Sequence, residues 1–177
     1  MVVLSIEKYE PRLCLSGMMQ GYSESRFIFK RETKSVPTQR AVIGMIAAAE
    51  GILRDDIEAL ENLKNKLHIV KIESAGTIST KLTDFQTVRP VENSKLSKLA
   101  GVCKEKPFLT ASGSHKEALP LFEKEYITNG NFMVYVAGEE DEIIKAAEAL
   151  RRPVFPVYLG RKCCPPAQPV FGGLVDI

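Results

Sequence analysis

No apolar run in the chain approaches the ~20 residues a membrane-spanning helix needs. The first residues, with Glu7 and Glu10 early, also lack the basic start and apolar body of a secretory leader. A cytoplasmic protein without membrane contact is the expectation. Cysteine is sparse, and Cys14, Cys103, Cys163 and Cys164 include no C-x-x-C spacing. Sequence neighbours make a poor disulfide and a poor metal clip, so the thiols read as buried or bystander groups, and neither metal nor cofactor is expected. Histidine is scarcer still, with only His68 and His115, which leaves little material for acid–base chemistry. Net charge is almost absent: 24 Lys and Arg against 22 Asp and Glu leave +2. A whole-molecule field therefore cannot hold nucleic acid, and any such binding must come from local clusters. There is no internal repeat and no low-complexity tract.

What is present is enough apolar material for one core. At 177 residues and 45% apolar, such a chain buries roughly 70% of its unfolded surface, which reads as one domain over 1–177. Charge is segregated along it. Arg26, Lys30, Arg31, Lys34 and Arg40 meet a single acid, Glu32, whereas acids gather at 139–142. Near the end, Tyr158-Leu-Gly-Arg-Lys-Cys-Cys-Pro-Pro-Ala167 combines the close of an apolar run, a glycine turn, adjacent cations and a proline stop. Gly160 can turn with φ > 0, and Pro165 and Pro166 forbid continuation, so Arg161 and Lys162 are expected to project from a fixed end. Paired cations held in this way suit an anion such as phosphate.

The periodicities predict the elements. Val2 to Gly17 alternates unevenly around Pro11, as one bent edge strand or two short ones. Pro37 and Thr38 open a helix with Val42, Ile43, Ile46, Ala49 and Leu53 at helical spacing and Gly51 as its stop. Its small residues, Gly44, Ala47 and Ala48, allow a close approach to a sheet, and its free N–H groups sit beside the basic stretch, a second plausible anion site. A capping box at Asp55, with Glu58 third, starts a second helix with a stripe of Ile57, Leu60, Leu63 and Leu67. Strands are expected at His68–Ile72 and Asn131–Ala137, with a projecting arm at about 74–130 between them. A third helix follows Gly138, with Ile143, Ile144, Ala147 and Leu150 facing inward, and Val154–Leu159 is the expected closing strand. The order matches β-α-β-β-α-β, an α+β, ferredoxin-like or RNA-recognition arrangement.

Four ordered blocks carry a family resemblance: Leu15-Ser-Gly-Met-Met-Gln-Gly21, the helix block from Pro37 to Asp56, Asp84-Phe-Gln-Thr-Val88, and Tyr158 to Ala167. Together they resemble the CasD-type (Cas-five) family of the type I-E CRISPR Cascade complex, within the RAMP superfamily. The resemblance implies a non-catalytic, ferredoxin-like RNA-binding subunit that grips the 5′ handle of the crRNA in antiviral defence. Its inserted thumb would reach toward the complex's backbone subunits, its surface would meet the large subunit, and target DNA would be touched only indirectly through the complex. Three departures stand out. Met18 replaces the family's Pro, Cys163 replaces its usual Ser, and the small β-rich C-terminal region that family members carry after the Pro-Pro block is expected to be missing or much shortened.

The residues expected to contact RNA are Gln20, Arg26, Lys30, Arg31, Lys34, Thr38, Arg40, Arg161 and Lys162; Phe85, Gln86, Thr87 and Val88 are the thumb or partner contacts. Each has a plainer alternative. Charge runs are commonly solvated loops, Arg161 and Lys162 could cap carbonyls or pair with acids, and Phe85 could anchor the thumb as readily as stack on a base. Asp55 and Asp56 read as a helix cap rather than a catalytic carboxylate pair. His68 reads as half-buried strand structure, and His115 lies in the arm. The rival function is a metal-independent endoribonuclease that cuts repeat RNA, as type I-C relatives of the family do, with His115 or Tyr22 as its working group. An inert adaptor between subunits is the third reading.

Overall fold

Two long strands with alternating burial over much of their length organise the molecule, which a computed structural model describes over residues 9–23, 29–74, 80–87 and 121–176. Strand β1 (Tyr9–Gln20) buries Pro11, Leu13, Leu15 and Gly17 on one face and leaves Arg12, Cys14 and Ser16 half-buried on the other. Strand β5 (Leu121–Gly138) repeats the pattern through Phe132, Val134 and Val136. They pair antiparallel, Leu13 opposite Val134 and Leu15 opposite Phe132, so the period of two puts these buried apolar groups on one side. Helices α1 (Gln39–Glu50) and α3 (Glu140–Arg151) cover that side with Val42, Ile46, Ala49, Ile143, Ala146 and Leu150. Helix α2 (Ile57–Lys66) lies beside α1 and contributes Leu63.

The sheet is six-stranded and centred on β5. Strand β3 (Leu67–Ser74) runs antiparallel along the Phe132–Gly138 end of β5, and β4 (Thr80–Thr87) runs antiparallel along its Leu121–Thr128 end. The two-residue β2 (Lys30–Arg31) joins parallel at Glu123–Lys124, and β6 (Phe171–Asp176) pairs antiparallel with β1. Between the halves of β5 stands Asn129, with φ 53, a left-handed conformation asparagine tolerates better than most residues. Within the expected arm at 74–130, β4 and the first half of β5 pair as strands of this same sheet; residues 75–79 and 88–120 lie outside the described residues.

Helix α1 is capped as the sequence predicts by the Thr38 side chain, which accepts from the Ala41 N–H, and closed by Gly51 at φ 81, but Leu53, expected on its apolar face, lies beyond that stop and is exposed. Other expectations need correction. The closing strand is β6, not Val154–Leu159. In that stretch the N–H groups of Val154 and Phe155 donate instead to the carbonyls of Ala49 and Ala48 at 2.9 and 3.1 Å, closing the end of α1. Pro153 and Pro156 remove further donors. Strand β1 is neither an edge strand nor broken at Pro11: it pairs with β5 on one side and β6 on the other, and Pro11 sits at an irregularity in the pairing with β6, where a missing donor is tolerated. The cap of α2 is Asp56, accepting from Ala59 N–H, so Glu58 stands second in the helix, and Ile57 is 70% exposed rather than part of a buried stripe. Ile144 on α3 and His68 on β3 are exposed as well. Ion pairs tie the helices together: Lys145 on α3 reaches the nearly buried Glu50 of α1 at 2.6 Å, and Lys66 of α2 reaches Glu142 at 3.0 Å. Among the described residues no helix is long and apolar enough to cross a membrane.

Candidate nucleic-acid interface

The candidate interface lies where the end of β1, the start of α1 and the 158–164 turn meet. Leu159 is fully buried and pins the turn to the core, while its carbonyl accepts from Gly21 N–H at 3.0 Å. The turn closes on itself, Leu159 N–H to Cys164 O and Cys164 N–H to Arg161 O, both 2.8 Å. Gly160 sits at φ 86, and a Cβ there would lie 2.1 Å from the Gly21 carbonyl oxygen. Only glycine permits that approach.

The two expected cationic segments do meet in space, but Arg161 is the fastener rather than a free cation. Its guanidinium lies over the Tyr126 ring at 4.7 Å and donates to Glu125 O at 2.9 Å and to Arg31 O at 3.0 Å. It thus joins the turn to β5 and β2. Gln20 requires a firmer correction. It is fully buried, its amide donating to Leu15 O and Gly130 O and accepting from Tyr22 Oη at 2.7 Å. It lies under the groove and presents no atom to a ligand. Burial of Tyr22 itself pushes its phenol pKa upward, and the nearby Cys164 adds to the shift.

Above this base a cavity of about 290 Å³ opens between α1 and the turn, with Thr38, Arg40, Ala41, Gly44, Tyr158 and Lys162 among its lining residues. Arg40 and Lys162 are exposed. Thr38 is already engaged as the helix cap. Further along, Lys30, Arg31 and Lys34 are exposed on the β2 edge, where sequence segregation of charge does not survive folding. Lys30 pairs with Glu32 at 3.2 Å, and that hydrogen bond, with Glu32, Glu123 and Glu125 nearby, raises its pKa. Glu125 also accepts from Thr33 N–H at 3.2 Å and faces Lys81 at 3.5 Å. Arg26 lies outside the described residues.

A second, larger cleft of about 600 Å³ lies along β4 and the first half of β5, lined by Met19, Leu82, Phe85, Gln86, Tyr126 and Cys163 among others. Phe85 is 63% exposed and Thr87 exposed; Gln86 is instead held by Asp84 and Lys124. Val88 lies outside the described residues. Exposed Cys163 stands 3.6 Å from Tyr126 Oη, whereas the Cys164 thiol is buried and pushed up to about 12, by burial first and Cys163 second. Sequence reasoning missed Gln39, whose side chain donates to Leu67 O at 2.9 Å and accepts from Ile69 N–H at 2.7 Å, fixing the start of α1 against β3. It missed Glu125 and Tyr126 too, since only the sheet pairing brings them beside residues 161–163.

The geometry has relatives. A family described as CRISPR-associated protein (Cas_Cas5) matches residues 12–176. The chain is 26% identical over 170 residues to the CRISPR system Cascade subunit CasD of Escherichia coli (strain K12), covering 91% of this chain and 69% of that one. Among solved structures it resembles a chain of a CRISPR RNA-guided surveillance complex, with a TM-score of 0.72, 28% identity, and coverage of 92% of this chain and 61% of that one. A second, a crystal structure of a Cas protein, shares the fold at a TM-score of 0.56 and 22% identity, with coverage of 95% and 66%. The chain thus spans about three-fifths of the length of the surveillance-complex chain it matches.

Proposed function

Because the chain belongs to the CRISPR-associated Cas5 family, we propose that it is a non-catalytic RNA-holding subunit of a Cascade-type effector complex, cytoplasmic, and seated on the 5′ handle of the crRNA. The observation that carries this reading is the convergence of Arg40, at the start of α1, and Lys162, from the far end of the chain, on one cavity. Two exposed cations beside a helix start and a rigid glycine turn suit the phosphates of a single strand, which position RNA without reading its sequence. The pairing order β3-β5-β1-β6, antiparallel throughout, supports the ferredoxin-like form of the fold. The ribbon of β4 and β5, with Phe85 exposed, is the surface offered to the backbone subunits, and the large subunit and target DNA are reached only through the assembly.

Holding rather than cutting is favoured by the fate of Tyr22. A general base needs access to the 2′-OH and a pKa near the working pH, and the Tyr22 hydroxyl is buried, spent on Gln20 and shifted upward. His115 lies outside the described residues. The test is a salt titration of handle-RNA binding. For a single strand, log K falls by about 0.7 per phosphate neutralised for each decade of salt, so Arg40→Ala with Lys162→Ala should flatten the slope by about 1.4. An unchanged slope overturns the site. Specific cleavage of a repeat hairpin without metal overturns the non-catalytic role.

A further inference from the structure

We propose that the cavity between α1 and the 158–164 turn seats one unstacked nucleobase, and that Gly44 is the residue that keeps room for it. The inference rests on the RNA-holding reading and goes further, from phosphates to a base. A glycine inside a helix costs about 1 kcal/mol relative to alanine, so one at the middle of α1 calls for a cause. Intramolecular packing supplies none: a Cβ on Gly44 would meet no atom within 4 Å, and its φ is not in the left-handed range. The position instead lines the cavity, with Ala41 and Ala48 on the same wall of α1 and Tyr158 and Pro156 across from them.

The dimensions and chemistry fit a flat ring. At about 290 Å³ the space lies at the lower edge of small-ligand pockets, which run roughly 300–1,000 Å³. That is room for one ring and none for a duplex. Tyr158 supplies an aromatic wall, the small residues of α1 allow the ring to lie close to the helix, and Arg40 and Lys162 stand at the same cavity for the phosphates on either side. Single-stranded RNA is recognised in this manner, by stacking splayed bases on aromatic side chains while cations follow the backbone.

Gly44→Ala, Gly44→Leu and Tyr158→Leu separate the base seat from the phosphate grip. The probes are a labelled single-stranded RNA 12-mer and the abasic ribose-phosphate strand of the same length, each titrated against the full chain. Wild type should prefer the base-bearing strand. Gly44→Leu should remove most of that preference, about tenfold, the value of one base stack, with the salt slope unchanged; Tyr158→Leu should do the same. Gly44→Ala should raise the melting temperature by roughly 2–4 °C, as Gly→Ala in a helix does, while weakening the base-bearing strand, which shows that lost binding is not lost folding. If all three variants keep the wild-type preference while Arg40→Ala and Lys162→Ala still flatten the salt slope, the seat is refuted and the RNA-holding reading stands. If wild type binds neither strand with a salt dependence that those cations control, both are refuted.

Discussion

Removing Arg161 should damage the fold more than it damages phosphate binding, whereas removing its neighbour Lys162 should do the reverse. The Arg161 guanidinium contributes a ring contact at 4.7 Å and two hydrogen bonds to carbonyls, at 2.9 and 3.0 Å. A cation over an aromatic ring contributes about 0.5–2 kcal/mol, and hydrogen bonds from a charged donor about 1.5–3 kcal/mol each. Arg161 is half-buried and the Arg31 carbonyl can rehydrate, so the lower ends apply and Arg161→Ala should cost about 3 kcal/mol. In a chain of this size that lowers the melting temperature by roughly 6–12 °C. Arg161→Lys keeps the charge but loses the planar fork, and should recover less than half of the loss. Lys162→Ala should shift stability by no more than about 0.5 kcal/mol and flatten the salt slope of RNA binding by about 0.7. Calorimetry on the three variants, paired with the salt titration, decides the matter. An Arg161→Ala protein that melts like wild type and loses more salt dependence than Lys162→Ala would show that Arg161 grips phosphate and that its internal bonds contribute nothing.

Alkaline pH should weaken the fold through Cys164 and Tyr22, whose folded pKa values both lie above their ordinary ones. Folding that holds a proton more tightly contributes stability below the unfolded pKa of about 9 and loses it as pH climbs toward about 12 for Cys164. Denaturant midpoints should fall across that window, and Cys164→Ala should fall less steeply; a flat wild-type profile refutes the burial argument. In the same range iodoacetamide should modify exposed Cys163 well before Cys164, read by peptide mass. Lys145→Met strands the nearly buried Glu50 carboxylate and should cost about 2 kcal/mol, below the usual loss for a broken buried pair because Lys145 itself is largely exposed. The double variant with Glu50→Gln should regain most of it in urea melts, and equal stability of Lys145→Met and wild type would refute the pairing.

Much of this architecture is legible before folding because it is written in local signals. Thr38 and Gly51 bracket α1 with a cap and a left-handed stop, whereas the uneven alternation of Val2 to Gly17 gives a strand there without its bounds or its interior place in the sheet. The closing strand is misread because Val154–Leu159 is β-branched and aromatic yet its N–H groups go to the end of α1, a tertiary use that propensity cannot show. The same holds at the interface. Arg161 and Lys162 are adjacent and alike in sequence, and only the arrival of Tyr126, Glu125 and Arg31 through the sheet gives one of them internal partners. Around Lys30 the local excess of cations is diluted in space by Glu123 and Glu125, residues almost a hundred positions away. Gln20 looks like a polar groove residue and is a core one, satisfied by the carbonyls of Leu15 and Gly130.

The single strand that forms the middle of the sheet also forms one rail of the ribbon, with its direction adjusted at Asn129. No linker separates the two halves. A subunit docking on the ribbon therefore takes hold of a lever whose other end is hydrogen-bonded to β1, the strand that leads directly into Gly21 and the cavity wall. In the proposed role, assembly at one end and grip at the other would be joined by paired backbone, which resists sliding because a one-residue slip would turn every core side chain outward.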